Sequence, residues 1–302
     1  MQPSPCTPGS VSVSVPGRRK NIEDFRQELA YTSQFHKLSG QTSVTVGPRG
    51  IGKTSLLRFL QEEARQLGFQ TVWVTAGDGP FLGPLIGSFD RLSSGWGETA
   101  RTKASAGRAL QDVITGAVTA AVGDGAAGLV LFIDEIQSAD IAGLRALAYA
   151  WQHMQSEAAD LPAIAAAAGL SHSQDVITDA VSFAERFRYP RLKDLDDVAS
   201  RSALVAPAAD SDVAWDAEAL NSALQEVRGY PYFIQLLGEE SWKAAGYPDS
   251  GSVITVEDVA AAMEEYRTSQ NDFFRARWMK ATEVEVKMLT AMAEPGGRGT
   301  AP

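Results

Sequence analysis

The feature that most constrains the fold of this 302-residue chain is the segment GPRGIGKTS, residues 47–55. It follows SVTV, whose β-branched residues are typical of a strand, and precedes LLRFLQEEARQLG, whose apolar spacing is typical of an amphipathic helix. Gly47, Gly52, Lys53 and Thr54 fit the pattern G-x-x-x-x-G-K-[ST], in which glycines allow successive backbone N–H groups to surround a phosphate. A strand, this loop and a helix in that order predict an α/β fold that binds a nucleotide.

We name residues 47–55 the phosphate loop. Lys53 is predicted to reach the β- and γ-phosphates and the Thr54 hydroxyl to ligate Mg²⁺, while the amino end of the following helix adds positive charge. The predicted nucleotide-binding residues of the loop are Gly47, Pro48, Arg49, Gly50, Ile51, Gly52, Lys53, Thr54 and Ser55.

Two adjacent carboxylates end the apolar run LVLFIDE at residues 129–135. Such a run predicts a central strand of a parallel sheet covered on both faces, and ligands of parallel sheets collect at the carboxyl ends of the strands. We expect Asp134 to hold Mg²⁺ through water, and Glu135 to orient and deprotonate the water that attacks the γ-phosphate. The alternative is that both residues merely end the strand.

The remaining patterns predict a mixed first half and a helical second half. Helical spacing begins at Asn21, strands are predicted at TVWVTA and PAIAAAAGL, and a last strand is expected near residues 187–192. No later strand is predicted, and Thr255 and Thr282 each begin a capping-box pattern. Helices are expected at about 194–204, 213–227, 231–246, 255–279 and 282–293. The predicted segments are a flexible tail (1–16), an α/β core (17–193), a helical domain (194–293) and a disordered tail (294–302).

Composition disfavours several classes of protein. The net charge of −10 opposes a large nucleic-acid surface. The segment FFRARWMK alternates aromatic and basic residues and is interpreted as a helix that packs Phe274 and Trp278 while its basic residues face water, with a nucleic-acid surface as the alternative. Cys6 is the only cysteine and lies in the predicted tail, which predicts no intrachain disulfide and a reducing compartment. The apolar runs are far shorter than the ~20 residues of a membrane span. Because the first twenty residues also lack an export signal, a cytoplasmic protein without membrane contact is expected.

The segments GPRGIGKTSLL, FIDEIQ and RGYPYFI together resemble AAA-type P-loop ATPases. More narrowly, they are similar to bacterial origin-recognition-like AAA domains and to the signal-transducing ATPases called STAND, over about residues 17–293. The resemblance implies a five-stranded AAA/ASCE-type core, in which the metal-binding strand is not adjacent to the phosphate-loop strand, followed by a small α-helical lid. It also implies ATP and Mg²⁺, and the chain contains no Asn-Lys-x-Asp motif for guanine.

Two further site residues follow from the resemblance. Arg18 in PGRRKNIEDF resembles the arginine of a Gly-Arg-Glu box that lines the nucleotide, although Arg19 stands where the glutamate is expected. A solvated basic cluster is the alternative. Ser171 resembles the polar sensor of the γ-phosphate, with His172 as a competitor and a helix N-cap as the alternative.

The resemblance also assigns residues in the second half of the chain. Pro231 in Gly229–Pro231 resembles the Gly-x-Pro of the STAND lid, which packs near the base, and a plain turn before a helix is the alternative. Arg186, or Arg188, lies where family members carry an arginine finger that reaches the γ-phosphate of a neighbouring subunit. The alternative is a solvated or paired surface arginine.

These features support an ATP-hydrolysing motor or switch that uses Glu135, Lys53, Ser171 and Arg186 for catalysis and assembles into a homo-oligomer. One alternative is a nucleotide-gated interaction module that binds ATP or ADP with little turnover and contacts an unknown protein partner. Another is a DNA-associated replication or mobile-element ATPase, which the acidic charge disfavours. A small-molecule kinase is disfavoured because it needs no water activator such as Glu135.

Overall fold

The computed structural model describes residues 1–12, 14–77, 79–90, 106–157, 160–279 and 281–293. Its contacts divide the chain into two compact units. The core unit contains Gly9–Ala203 and Gly229–Tyr232, and the helical unit contains Met1–Pro8, Leu204–Arg228 and the described residues from Phe233 onward. The division therefore falls about ten residues after the predicted boundary at 193/194, and the short segment Gly229–Tyr232 returns to the core unit.

A parallel sheet organises the core unit. Its strands are β1 (Ser43–Val46), β2 (Gln70–Thr75), β3 (Leu129–Asp134) and β4 (Ala163–Gly169), in the order β1-β4-β3-β2. Every residue of β3 and β4 is buried, as expected for apolar strands covered on both faces. Because β4 lies between β1 and β3, the strand that ends in Asp134 is not adjacent to the strand that leads into the phosphate loop, as the resemblance implies.

The predicted strand near residues 187–192 is an irregular one that pairs with β1. Its parallel bridges join Ser43 to Arg188 and Val46 to Arg191. The N–H of Val46 donates to the carbonyl of Pro190 at 2.9 Å. Proline has no N–H, so it cannot complete a regular ladder at that position. The five-stranded core implied by the resemblance is thus present as four regular strands and one irregular edge segment.

Helices cover both faces of the sheet. One face packs against α1 (Arg19–Phe35) and α2 (Lys53–Gln66), and the other against α3 (Leu82–Asp90), α4 (Ala106–Gly123), α5 (Ile141–Glu157) and α6 (Ser173–Ala180). Alternate residues of β3 reach the two cores, with Phe132 on the first face and Leu131 on the second. The helix α3 was not predicted, because its segment is rich in glycine and proline.

The second half of the chain is mainly helical. Its helices are α7 (Asp197–Asp210), α8 (Ala217–Val227), α9 (Pro231–Ala244), α10 (Val256–Trp278) and α11 (Glu283–Ala293). The predicted capping boxes at Thr255 and Thr282 are confirmed by reciprocal hydrogen bonds with Asp258 and Glu285. The expectation of no further strand is wrong, because β5 (Ala214–Trp215) and β6 (Val253–Ile254) form a short parallel pair.

The first eight residues belong to the helical unit. The side chain of Cys6 is only 3% exposed and packs against Gly238, where an added Cβ would lie 2.6 Å from Sγ. The indole Nε1 of Trp242 donates to the carbonyl of Gln2 at 2.9 Å. The placement of Cys6 in a loose tail is therefore wrong, because glycine at position 238 leaves room for the thiol. The predicted tail at 294–302 lies outside the described residues.

Among the helices of the described segments, none combines the length and the apolar character that crossing a membrane would require.

Candidate functional site

The phosphate loop lies at the carboxyl edge of the parallel sheet. It leaves β1 at Val46 and enters α2 at Lys53. Gly50 and Gly52 have φ angles of 83° and 92°, in the left-handed region that glycine adopts without a Cβ penalty. An added Cβ at Gly47 would lie 2.9 Å from Cγ2 of Ile51. The loop therefore needs glycine at these positions because of both its turn and its close packing.

Lys53 folds back onto the phosphate loop. Its side chain is 7% exposed, and Nζ donates to the carbonyl of Pro48 at 2.9 Å. Burial lowers the pKa of Lys53, while the nearby carboxylates of Glu135 and Asp134 raise it. The ammonium group is thus held inside the loop, beside both predicted acidic residues.

Thr54 and Asp134, the two predicted metal ligands, are brought together. Thr54 Oγ1 donates to Asp134 Oδ2 at 2.9 Å, and the N–H of Glu135 donates to Asp134 Oδ1 at 2.9 Å. Burial raises the pKa of Asp134, whereas these two hydrogen bonds and Lys53 lower it. A hydroxyl and a carboxylate are oxygen ligands of the kind that Mg²⁺ prefers, so this pair fits the ion that the resemblance implies.

Glu135 occupies a strained backbone position next to Asp134. Its φ of 52° is left-handed, which is uncommon for a residue with a Cβ and is concentrated at functional sites. Nε2 of Gln137 donates to Glu135 Oε2, and Oε1 of Gln137 accepts from the N–H of Leu170 at 2.9 Å. Gln137 therefore links Glu135 to the end of β4. The sequence reasoning missed this role, although the glutamine stands in the quoted motif FIDEIQ.

Ser171 lies two residues after the end of β4, at the same sheet edge as the phosphate loop. Its side chain is exposed. The N-cap alternative is wrong, because His172 is the residue that precedes α6 and it makes no side-chain cap bond. Ser173 is fully buried and donates to the carbonyl of Leu170 at 2.7 Å. The polar sensor role of Ser171 stays a prediction.

Arg18 contacts the backbone of the phosphate loop. It is 7% exposed, its Nη2 donates to the carbonyl of Ile51 at 3.0 Å, and its Nη1 donates to the carbonyl of Lys193 at 2.9 Å. Burial lowers the pKa of Arg18, and Asp194 raises it. The alternative of a solvated basic cluster is wrong for Arg18. A solvent-exposed position is instead found for Arg19, whose side chain is paired with Glu23.

Pro231 is the first residue of α9, a position that suits proline because the N–H it lacks has no helical partner there. The residues on either side contact the phosphate loop. The hydroxyl of Tyr230 donates to the carbonyl of Arg49, and an added Cβ at Gly50 would lie 2.9 Å from Cβ of Tyr232. Contact of Pro231 with the base stays a prediction.

The two candidate finger arginines differ in their surroundings. Arg188 Nη2 lies 3.3 Å from Glu28 Oε2, so this arginine is paired. Arg186 is exposed, and its guanidinium carbon lies 5.8 Å from the ring centroid of Phe183. It precedes the segment that pairs with the first residue of β1, which places it at the amino edge of the sheet. Arg186 is thus on the opposite edge from its own phosphate loop.

The comparisons with known proteins give matches among solved structures. No protein-family model matches the chain, and no curated protein matches it. The ORC2 protein of Aeropyrum pernix, in ADPNP-ADP complexes, is 15% identical with a TM-score of 0.65, over 87% of this chain and 71% of that one. RuvB, the Holliday junction branch migration motor of Thermotoga maritima, is 15% identical with a TM-score of 0.57, over 92% and 76%. A Walker-type ATPase of Pyrococcus abyssi is 14% identical with a TM-score of 0.60, over 93% and 82%.

At this level of identity the matches establish the fold. They confirm the predicted AAA-type α/β architecture, with helices following the parallel-sheet core. The narrower similarity to bacterial origin-recognition-like and STAND domains stays a prediction. The chain has the fold of the AAA-type P-loop ATPases.

Proposed function

We propose that the protein binds ATP with Mg²⁺ and hydrolyses it, acting as a conformational motor or switch. The observation that carries this proposal is the hydrogen bond of 2.9 Å between Thr54 Oγ1 and Asp134 Oδ2 beside the phosphate loop, with Glu135 directly next to it. A metal-ligand pair and a second carboxylate at the end of a parallel strand match the needs of ATP hydrolysis.

The residues have separate roles in this proposal. Lys53 leaves the carbonyl of Pro48 and turns to the β- and γ-phosphates of ATP. Thr54 and Asp134 hold the Mg²⁺ ion, which supplies positive charge to the phosphate oxygens when bound. Glu135 accepts a proton from the attacking water, and Gln137 keeps the Glu135 carboxylate in place. Ser171, at the end of β4, contributes a polar group toward the γ-phosphate.

Arg186 completes the proposed site of a neighbouring subunit. Because Arg186 lies at the amino edge of the sheet, it could reach the phosphate loop of a second copy of the chain and stabilise charge on the γ-phosphate there. P-loop hydrolysis without such an arginine runs at about 10⁻⁴ to 10⁻² per second, and an arginine supplied in trans adds a factor of about 10³ to 10⁵. Turnover would then depend on homo-oligomer formation. The division into an ATPase core of residues 17–193 and a helical lid of residues 194–293 belongs to the same proposal.

The second candidate is a nucleotide-gated interaction module with little turnover. It is favoured by the position of Arg186, which lies at the opposite edge of the sheet from the phosphate loop of its own chain. A DNA-associated ATPase is supported by the description of the RuvB neighbour as a Holliday junction branch migration motor, but the net charge of −10 opposes it.

Phosphate release per subunit, measured from low to high protein concentration, tests the proposal. We expect turnover that rises with concentration, loss of ATP binding in Lys53→Ala, and retained binding without turnover in Glu135→Gln. Arg186→Ala should lose turnover, whereas Arg188→Ala, whose arginine is paired with Glu28, should keep it.

Mixing the two inactive variants separates a finger acting in trans from one acting within a chain. Arg186→Ala retains Glu135, and Glu135→Gln retains Arg186, so mixed assemblies contain some complete sites. Recovery of turnover on mixing supports the proposal. ATP binding with negligible turnover at every concentration indicates the interaction module, and failure of the wild type to bind ATP refutes both.

A further inference from the structure

Side chains that are distant in the sequence hold the backbone of the phosphate loop. The carbonyl of Arg49 accepts a hydrogen bond from the hydroxyl of Tyr230, and the carbonyl of Ile51 accepts one from Nη2 of Arg18 at 3.0 Å. Both donors belong to the core unit. They approach carbonyl groups, which are not the groups that bind a phosphate.

The geometry of the peptide bond makes this arrangement consequential. The peptide group is planar and trans, so the C=O of one residue and the N–H of the next residue point in opposite directions. A carbonyl of Arg49 held by Tyr230 fixes the direction of the Gly50 N–H, and a carbonyl of Ile51 held by Arg18 fixes that of the Gly52 N–H. Backbone N–H groups of this kind are the donors that surround a bound phosphate.

The loop needs such restraint because Gly50 and Gly52 carry no side chain. Both have left-handed φ angles, 83° and 92°, and glycine has more conformations to lose than any other residue when it is fixed. A loop held in its binding conformation before the ligand arrives does not lose that freedom on binding.

Both donors are themselves braced on one short segment, residues 193–195. The second donor of Arg18, Nη1, bonds to the carbonyl of Lys193 at 2.9 Å. The N–H of Leu195 donates to the carbonyl of Gly229 at 2.8 Å, and Gly229 lies so close that an added Cβ would be 2.3 Å from the carbonyl oxygen of Leu195. Tyr230 is the next residue after Gly229, so the backbone from which its side chain extends is held in place by these contacts.

We infer that Arg18 and Tyr230 are positioning residues that pre-organise the phosphate loop for the β-phosphate of a nucleotide, by holding the carbonyls of Ile51 and Arg49 from outside. This inference rests on the proposed nucleotide binding. It assigns Arg18 to the loop backbone in place of the nucleotide lining that the resemblance implied.

Tyr230→Phe tests the inference, because it removes the hydroxyl and keeps the ring that packs near Gly50. We expect the dissociation constants of ADP and ATP to rise about 2- to 13-fold, which is the range for one hydrogen bond. The kcat at saturating ATP should change by less than about 2-fold, because the restraint acts equally on the ground state and the transition state. Hydrogen exchange in a peptide covering residues 47–54 should become faster without nucleotide.

Two further variants control the experiment. Tyr149→Phe removes an exposed tyrosine hydroxyl from α5 and should change neither ADP binding nor exchange in the loop. Arg18→Lys keeps the charge but replaces a two-pronged donor with a single ammonium, so it should weaken ADP binding in the same direction as Tyr230→Phe.

Unchanged exchange in Tyr230→Phe would overturn the inference, and so would faster exchange with unchanged ADP affinity. A lower kcat with unchanged affinity would also overturn it, because Tyr230 would then act in the chemical step. If the wild type binds neither ADP nor ATP, the proposed function fails, and hydrogen exchange alone then decides whether Tyr230 holds the loop.

Discussion

Replacing Asp134 by asparagine should stabilise the protein while it abolishes hydrolysis. Asp134 is 5% exposed, and its carboxylate faces Lys53, Glu135 and the Thr54 hydroxyl. Asparagine has the same shape and can keep both hydrogen bonds, since Oδ1 accepts from the N–H of Glu135 and Nδ2 donates to Thr54 Oγ1. The substitution removes the buried charge and leaves the packing in place.

The sign of the effect follows from the raised pKa of Asp134, whose largest cause is burial. A carboxyl whose pKa is higher in the folded state than in the unfolded state destabilises the fold where it is ionised, and has no such effect where both states are protonated. The destabilisation should therefore appear as the pH rises above about 4 and persist at neutral pH.

The magnitude is a difference between two larger quantities. Burial of an ion costs several kcal/mol, whereas each hydrogen bond to the carboxylate is stronger by only about 1–1.5 kcal/mol than the neutral one that asparagine keeps, and the attraction of Lys53 is lost. The remainder is of the order of 1 kcal/mol, which corresponds to about 2–4 °C in Tm for a domain of this size.

Thermal denaturation without nucleotide or Mg²⁺, at about pH 3.5, below the pKa of an unfolded aspartate, and at about pH 8, measures this effect. We expect Asp134→Asn to melt above the wild type by a margin that is larger at pH 8, and to release no phosphate from ATP. Asp140→Asn, which removes another carboxylate that accepts a backbone N–H, controls for the general loss of one negative charge. The reasoning would be refuted if Asp134→Asn had a lower Tm than the wild type at pH 8, or if the difference in Tm between the two proteins did not depend on pH.

Two further predictions concern other contacts. Gly229→Ala should destabilise the protein by more than about 2 kcal/mol and weaken ADP binding, because the new Cβ would meet the carbonyl of Leu195. Gly246→Ala, with a similar positive φ but open space, isolates the backbone strain, and equal losses of Tm would contradict the role of the contact. Thr255→Ala should lower the free energy of unfolding by about 1 kcal/mol through loss of the capping box, measured by urea denaturation, and an unchanged midpoint would contradict this.

The phosphate loop and the acidic pair could be predicted because their signals are local. Phosphate binding needs glycines and a lysine at fixed spacing, and a buried parallel strand needs an unbroken apolar run before Asp134. The spacing of apolar residues does not indicate the order of strands in a sheet, and the expected order was implied by the resemblance alone. The pairing of β5 with β6 has no comparable signal, since two residues are too few to show a period.

The second half of the chain shows a different limit. Helical spacing predicted α10, but not which of its aromatic residues would be buried. Phe274 and Trp278, which were expected to pack, are 52% and 46% exposed. The ring of Phe274 still lies 5.5 Å from that of Phe233, and the ring of Phe273 lies 5.0 Å from it. Periodicity identifies a face, whereas burial depends on partners that come from another part of the chain.

Arg18 and Tyr230 show why the support of a site is harder to predict than its chemistry. A side chain that binds phosphate must be of a particular type, so it leaves a motif such as Lys53 and Thr54 in the sequence. A backbone carbonyl is present at every residue, and any buried donor of suitable reach can hold it, so the carbonyls of Arg49 and Ile51 specify no residue type at positions 18 or 230. The resemblance drew attention to Arg18, and the folded chain is what places both donors on the outside of the loop.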